Sequence, residues 1–193
     1  YQGIPFTGNY NGQGYRVTGI RIINQEADYV GFFGRVTGNA TLRNIHLELT
    51  ENGQSEPGGI LGSFFVGGLA GWCDSSITID NCSVVFGTVS GRQSVGGLVG
   101  YSSTSLLNCY TASEVLAVGQ ISGYRGEAGG LVGRVVNDKL SARTINGSFS
   151  ASNVYSGNQH AGGFVGRMNF PNTTYPLNIQ DSFFTGPVRD DGG

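Results

Sequence analysis

With only 12% charged and 38% hydrophobic residues, a chain of 193 residues is neither a typical disordered polymer nor a typical compact globule. A net charge of −2 and a single lysine, Lys139, exclude the clustered basic footprint of a nucleic-acid binder. No apolar run reaches the ~18 residues of a membrane-spanning helix, and three cysteines (Cys73, Cys82, Cys109) are too few for a disulfide framework and too irregularly spaced for a zinc site.

Strands are expected from one end to the other, because every window with helical apolar spacing is interrupted by glycine, at about 1 kcal/mol each against helix. The first expected segment is FTGNYNGQGYRVTGIRI (residues 6–22), followed by YVGFFG ending at Gly34 and TLRNIHLEL (41–49). Then come VGGLAG (66–71), SITIDNCSVVF (76–86), VGGLVG (95–100) and LLNCYT (106–111). AGGLVG (128–133), TINGSFSASNVY (144–155), AGGFVG (161–166) and IQDSFF (179–184) complete the series. Runs rich in Val, Ile, Thr, Phe and Tyr, punctuated by Gly, Asn and Ser, have the makeup of strands and turns.

The glycine motif recurs with its last glycine at Gly34, Gly71, Gly100, Gly133 and Gly166, spacings of 37, 29, 33 and 33 residues. Such a period predicts an all-β parallel β-helix, or β-solenoid, of about five to six coils of roughly 33 residues. Residues 1–28 are expected to form an opening segment with the first coil, and 29–193 the repeats of one continuous domain. Stacking places equivalent residues ~4.8 Å apart, so Asn44, Asn81, Asn108, Asn146 and Asp181 are expected to form a side-chain ladder at a turn. If Leu98 points inward, two-residue alternation sends Gly96 and Gly100 inward too, letting opposing walls approach, and leaves Val99 and Tyr101 outward. A phosphate-cradling role does not fit, since the pattern is GGLVG with no following helix.

The motif resembles the GLUG repeat of bacterial and archaeal surface proteins, including adhesins and regions attached to some immunoglobulin-cleaving proteases. Residues 6–22 also resemble the segment that precedes such repeats, with Gly8, Gly12, Gly14 and Gly19 at its glycine positions. The resemblance covers nearly the whole chain. It implies an extracellular, cell-surface, non-catalytic structural or adhesive module. Departures are the missing first glycine before Gly34, and Gly147 and Ser182 where Cys82 and Cys109 stand in other copies.

Neither a catalytic site nor a cofactor or metal site is expected. The candidate acid pairs, Glu26 with Asp28, Glu48 with Glu51, and Glu56, have no acid in register on the next coil, as a glycosidase would need. Asp74, Asp80, Glu114, Glu127 and Asp138 fall at different repeat positions and read as solvated loop charge. His46 lies at the strand position of Ser83 and Tyr110, and His160 lies elsewhere in the repeat. Cys82 and Cys109 share a register, as a disulfide or as stacked free thiols. Of four glycosylation sequons, Asn81 and Asn146 coincide with the expected ladder, while Asn39 and Asn172 read as loop positions.

The surface feature that stands out is a column after each motif, Arg35, Trp72, Tyr101, Arg134 and Arg167. Beside it runs an expected outward apolar column, Phe33, Ala70, Val99, Val132 and Val165. Together they have the composition of an interface, or of a self-stabilising wall. Expected partners are further copies of the chain, end to end or laterally, or a host or cell-surface protein or glycan, with no nucleic acid and no membrane insertion. The near-repeat position of Gly192 and Gly193 motivates the end-to-end expectation. A carbohydrate-binding or carbohydrate-cleaving β-helix is the alternative, with a site in loops 50–58, 119–127 or 169–176. Ice binding would require T-x-T columns, which Thr18, Thr41, Thr78 and Thr144 do not spell.

Overall fold

The computed structural model describes residues 3–53, 58–119, 125–136, 142–157, 159–169 and 175–191. Glu56, Asp138, Lys139, Asn172, Gly192 and Gly193, and parts of the three loops named above, lie outside these residues. The described residues contain strands and no helix, arranged as three parallel sheets. The chain is a parallel β-solenoid.

A thirteen-stranded base sheet carries the long strands of each coil, Arg16–Ile23, Thr41–Leu49, Thr78–Gly91 and Tyr110–Ala117 among them. Two five-stranded sheets form a pair of arms. The first arm stacks Tyr29–Val30, Phe65–Gly67, Ser94–Gly96, Gly126–Gly129 and Gln159–Gly162. The second stacks Phe33–Val36, Ala70–Cys73, Val99–Ser102, Val132–Val136 and Val165–Asn169. Each glycine motif is therefore the bend that joins one arm to the other.

Superposition of the copies follows from the hydrogen bonds. The Leu69 amide donates to Leu98 O at 2.9 Å and the Leu98 amide to Leu131 O at 3.0 Å, and all three side chains are fully buried. Under the base sheet, Leu42, Ile79, Leu106 and Ile145 make a second buried column, each side chain contributing about 2 kcal/mol by leaving water. The opening segment joins the same architecture: Asn9–Asn11 pairs with Thr41–Arg43, and Phe6 bridges to Val36.

The glycines permit a close approach, but between the two arms. A Cβ on Gly100 would fall 2.5 Å from the Val66 nitrogen, and one on Gly96 would fall 2.7 Å from the Gly133 nitrogen. No side chain fits between backbones at that separation.

Strict alternation fails at the bend. Val99 is fully buried, as are Ala70 and Val132, so the apolar column expected outside is inside. Phe33 and Val165 are half-buried and pack against the same core. The reason is local: Leu98 lies in the turn before the strand that starts at Val99, so the two do not alternate across one sheet.

The turn ladder is also shifted by one residue in one coil. Asn44, Asn81, Asn108 and Asp181 all have positive φ, 46–55°, and the equivalent residue between Asn108 and Asp181 is Gly147 at 59°, not Asn146. Left-handed backbone admits Asn, Asp or Gly with little strain. The Asn44 amide donates to Asn11 Oδ1 at 2.9 Å and the Asn81 amide to Asn44 Oδ1 at 2.8 Å, but the Asn108 amide turns to Asp80 Oδ1. Asn146 stands instead in register with Leu107 and Gln180.

The following position is a column of small inward donors. Cys82 and Cys109 through Sγ, and Ser148 and Ser182 through Oγ, each donate to the carbonyl two residues earlier. Ser148, rather than Gly147, thus replaces the cysteine. All three cysteines are buried free thiols.

Candidate functional site

The column after the glycine motifs is real in register: Arg35 opposite Trp72, Trp72 opposite Tyr101, Tyr101 opposite Arg134, and Arg134 opposite Arg167. Facing it across the bend is a column on the first arm, Tyr29, Phe65, Ser94, Glu127 and His160. The two columns close a seam along the solenoid.

The seam changes chemistry along its length. In the early coils it is aromatic. Trp72 lies flat on Tyr101 with centroids 3.8 Å apart, and Phe65 meets both edge-on at 5.4 and 5.3 Å. The Arg35 guanidinium covers the Tyr29 ring at 5.1 Å and the Trp72 ring at 5.9 Å, cation–π contacts of about 0.5–1 kcal/mol each.

In the later coils the seam is ionic. Glu127, expected as solvated loop charge, is fully buried. Its carboxylate accepts from Arg134 Nε at 2.6 Å, Arg134 Nη2, Ser94 Oγ at 2.7 Å and Arg167 Nη1 at 3.1 Å. Burial alone pushes this carboxyl upward, and the donors of Arg134, Ser94 and Arg167 outweigh it, holding the group below its ordinary range. Two partners and a hydroxyl meet the needs of a buried charge. The expected interface column is thus largely engaged by the chain's own facing residues.

The outer face of the base sheet carries an aromatic stack and a groove, both built around the column expected to hold His46, Ser83 and Tyr110. Tyr110, Phe149 and Phe183 stack at 4.8 and 4.2 Å in the column that begins with Arg16, His46 and Ser83. Beside that column a groove of about 500 Å³ is lined by Arg16, His46, Glu48, Ser83, Phe86 and Tyr110, among others. His46 Nδ1 and Ser83 Oγ are 2.8 Å apart, and Arg16 Nη1 donates to Glu48 Oε1 at 2.9 Å. His46 therefore does share its column with Ser83 and Tyr110. Phe86 is placed by a bulge: Phe86 and Gly87 occupy one coil where the next has only Ser113, between Ala112 and Glu114. The signal in sequence was one extra residue before Gly87.

The remaining expected residues are scattered. Thr41, Thr78, Ser105 and Thr144 share an outer column, but the neighbouring one is Arg43, Asp80, Leu107 and Asn146, so no second hydroxyl row flanks it. Glu26 pairs with Arg92 at 3.5 Å. Asn39 is exposed in a turn, whereas the Asn81 amide is held by Asn44. Burial drives the Cys82 thiol up to about 12, and burial drives Cys73 and Cys109 upward as well.

Sheet topology and continuous side-chain columns define a solenoid repeat protein. The chain is 34% identical over 100 residues to halomucin of Haloquadratum walsbyi, a match covering 52% of this chain and 1% of that protein. It is 43% identical over 42 residues to a putative Gly-rich membrane protein of Evansella cellulosilytica, covering 22% of this chain and 5% of that protein. It therefore spans a small fraction of the length of both relatives. No family model and no solved structure matches the chain.

Proposed function

We propose that the chain is a GLUG-type, non-catalytic module of a cell-surface protein, a rigid stalk or adhesive segment that presents side chains at fixed spacing. The observation that carries this reading is the unbroken register of both seam columns through five coils, from Arg35 to Arg167 and from Tyr29 to His160. A wall locked by stacked rings and a buried ion cluster gives stiffness, which a spacer or display scaffold needs and which repeat stacking supplies by nearest-neighbour contacts. Likeness to segments of a halomucin and of a protein named as a membrane protein supports a surface setting.

Cells producing the protein test the reading, with an antibody raised against residues 59–117 as the probe. The expected result is labelling of intact cells, lost after mild external proteolysis. Labelling confined to permeabilised cells would overturn it.

A further inference from the structure

Phe86 breaks a rule that the rest of the chain obeys. The other described non-glycine residues with positive φ are Gln13, Asn44, Asn81, Asn108 and Asp181, all polar and four of them Asn or Asp, the types that tolerate it best. Phe86 adopts φ 63° with a bulky aromatic side chain, and the residue is 51% exposed. A bulky residue held left-handed is strained; here the bulge at Phe86 and Gly87 imposes the conformation, and retained strain of this kind clusters at sites of function. Among the described residues, Phe86 is not one of those packed against the buried core. It stands instead at the rim of two concavities, the ~500 Å³ groove described above and a second of about 200 Å³ that includes Ser113, Glu114 and Asn153.

The groove beside this ring has paired and balanced polar groups. Arg16 is neutralised by Glu48 at 2.9 Å, and Ser83 orients the His46 ring through Nδ1, leaving Nε2 as its other hydrogen-bonding atom. Tyr110 closes the side next to Ser83. An exposed aromatic face, a second ring, and planar donors and acceptors that include a matched Arg16–Glu48 pair suit a molecule having an apolar C–H face and a rim of hydroxyls. Anions would meet Glu48, and cations Arg16.

We propose that the groove around Phe86 binds a neutral pyranose unit of a glycan, its C–H face stacked on Phe86 and its hydroxyls bonded to Arg16, Glu48 and His46. This deepens the adhesive reading by naming a ligand class, and it rests on that reading. The two fail separately: surface labelling reports location whatever the ligand.

The experiment titrates the purified chain, by calorimetry, with neutral hexasaccharides of glucose (α-1,4 and β-1,4), mannose, galactose, xylose and N-acetylglucosamine. At least one is expected to bind. Phe86→Asn should weaken that binding by about tenfold or more while melting at the same or a higher temperature, because Asn accepts the left-handed backbone. His46→Ala should weaken it as well. The proposal is overturned if no sugar of the panel binds, if Phe86→Asn binds as tightly as the parent chain, or if Phe86→Asn melts lower, which would make the ring a packing group.

Discussion

The indole of Trp72 and the ring of Tyr101 lie 3.8 Å apart and 8° from parallel, and Phe65 of the facing arm touches both. Two residues 29 positions apart in sequence thus form one face of a closed seam. Replacing Trp72 by Ser is expected to cost about 2–3 kcal/mol, since the ring is half-buried rather than free for a partner. A double-mutant cycle with Tyr101→Ser, read by urea unfolding, should return a coupling of about 1 kcal/mol. Additive losses would show that the stack adds nothing beyond burial.

Gly100→Ala and Gly96→Ala should each destabilise by about 3 kcal/mol or more, because the new methyl meets backbone of the opposite arm, which has no rotamer to yield. Gly14→Ala is the control: nothing lies within 4 Å of its Cβ, and only the positive φ of 78° opposes it, at about 1–2 kcal/mol. Chemical denaturation of the three variants measures the ranking.

Glu127 makes stability pH-dependent in a defined sense. Its folded-state pKa is depressed, so its contribution is complete above the unfolded value near 4.3 and is lost as pH falls through the lower folded value. Glu127→Gln should cost about 3 kcal/mol at neutral pH, leaving the partly buried Arg134 with a weakened partner, and should flatten the acid limb of a stability profile below the unfolded carboxyl value. An unchanged acid limb would assign acid sensitivity to other carboxylates.

The left-handed turn column predicts a residue-specific scale. Asn108→Gly should be close to neutral and Asn108→Ala should cost about 1–2 kcal/mol, while Gly147→Asn keeps an accepted backbone but puts its Cβ 2.6 Å from Asn108 Oδ1, which must swing aside. Equal losses for the Ala and Gly variants would locate the energy in the bond to Asp80 instead.

Much of this was legible because stacking turns sequence period into spatial register. The glycine spacing alone superposes Leu69 on Leu98 and Leu131, and Arg134 on Arg167. What the period does not carry is the local path of the chain. Leu98 and Val99 are adjacent in sequence and both buried, because a corner separates them. Asn146 matched the ladder by residue type, but Gly147 holds the left-handed backbone, since that conformation accepts either residue. Glu127 carries no acid-on-acid signal in the period: its neighbours in register are Ser94 and His160, and its counter-ions come from the other arm.

The most direct measurement of rung-upon-rung stacking is a set of electron-spin distances along one outer column. Spin labels would be placed in pairs at Thr78→Cys with Ser105→Cys, Thr41→Cys with Ser105→Cys, and Thr41→Cys with Thr144→Cys, the native thiols being buried. One, two and three coils apart, these pairs should give separations rising in even steps of about 4.8 Å, with strong dipolar broadening in the first. Separations that fail to rise with coil number, or an unbroadened spectrum for the Thr78 and Ser105 pair, would contradict the solenoid and every column built on it.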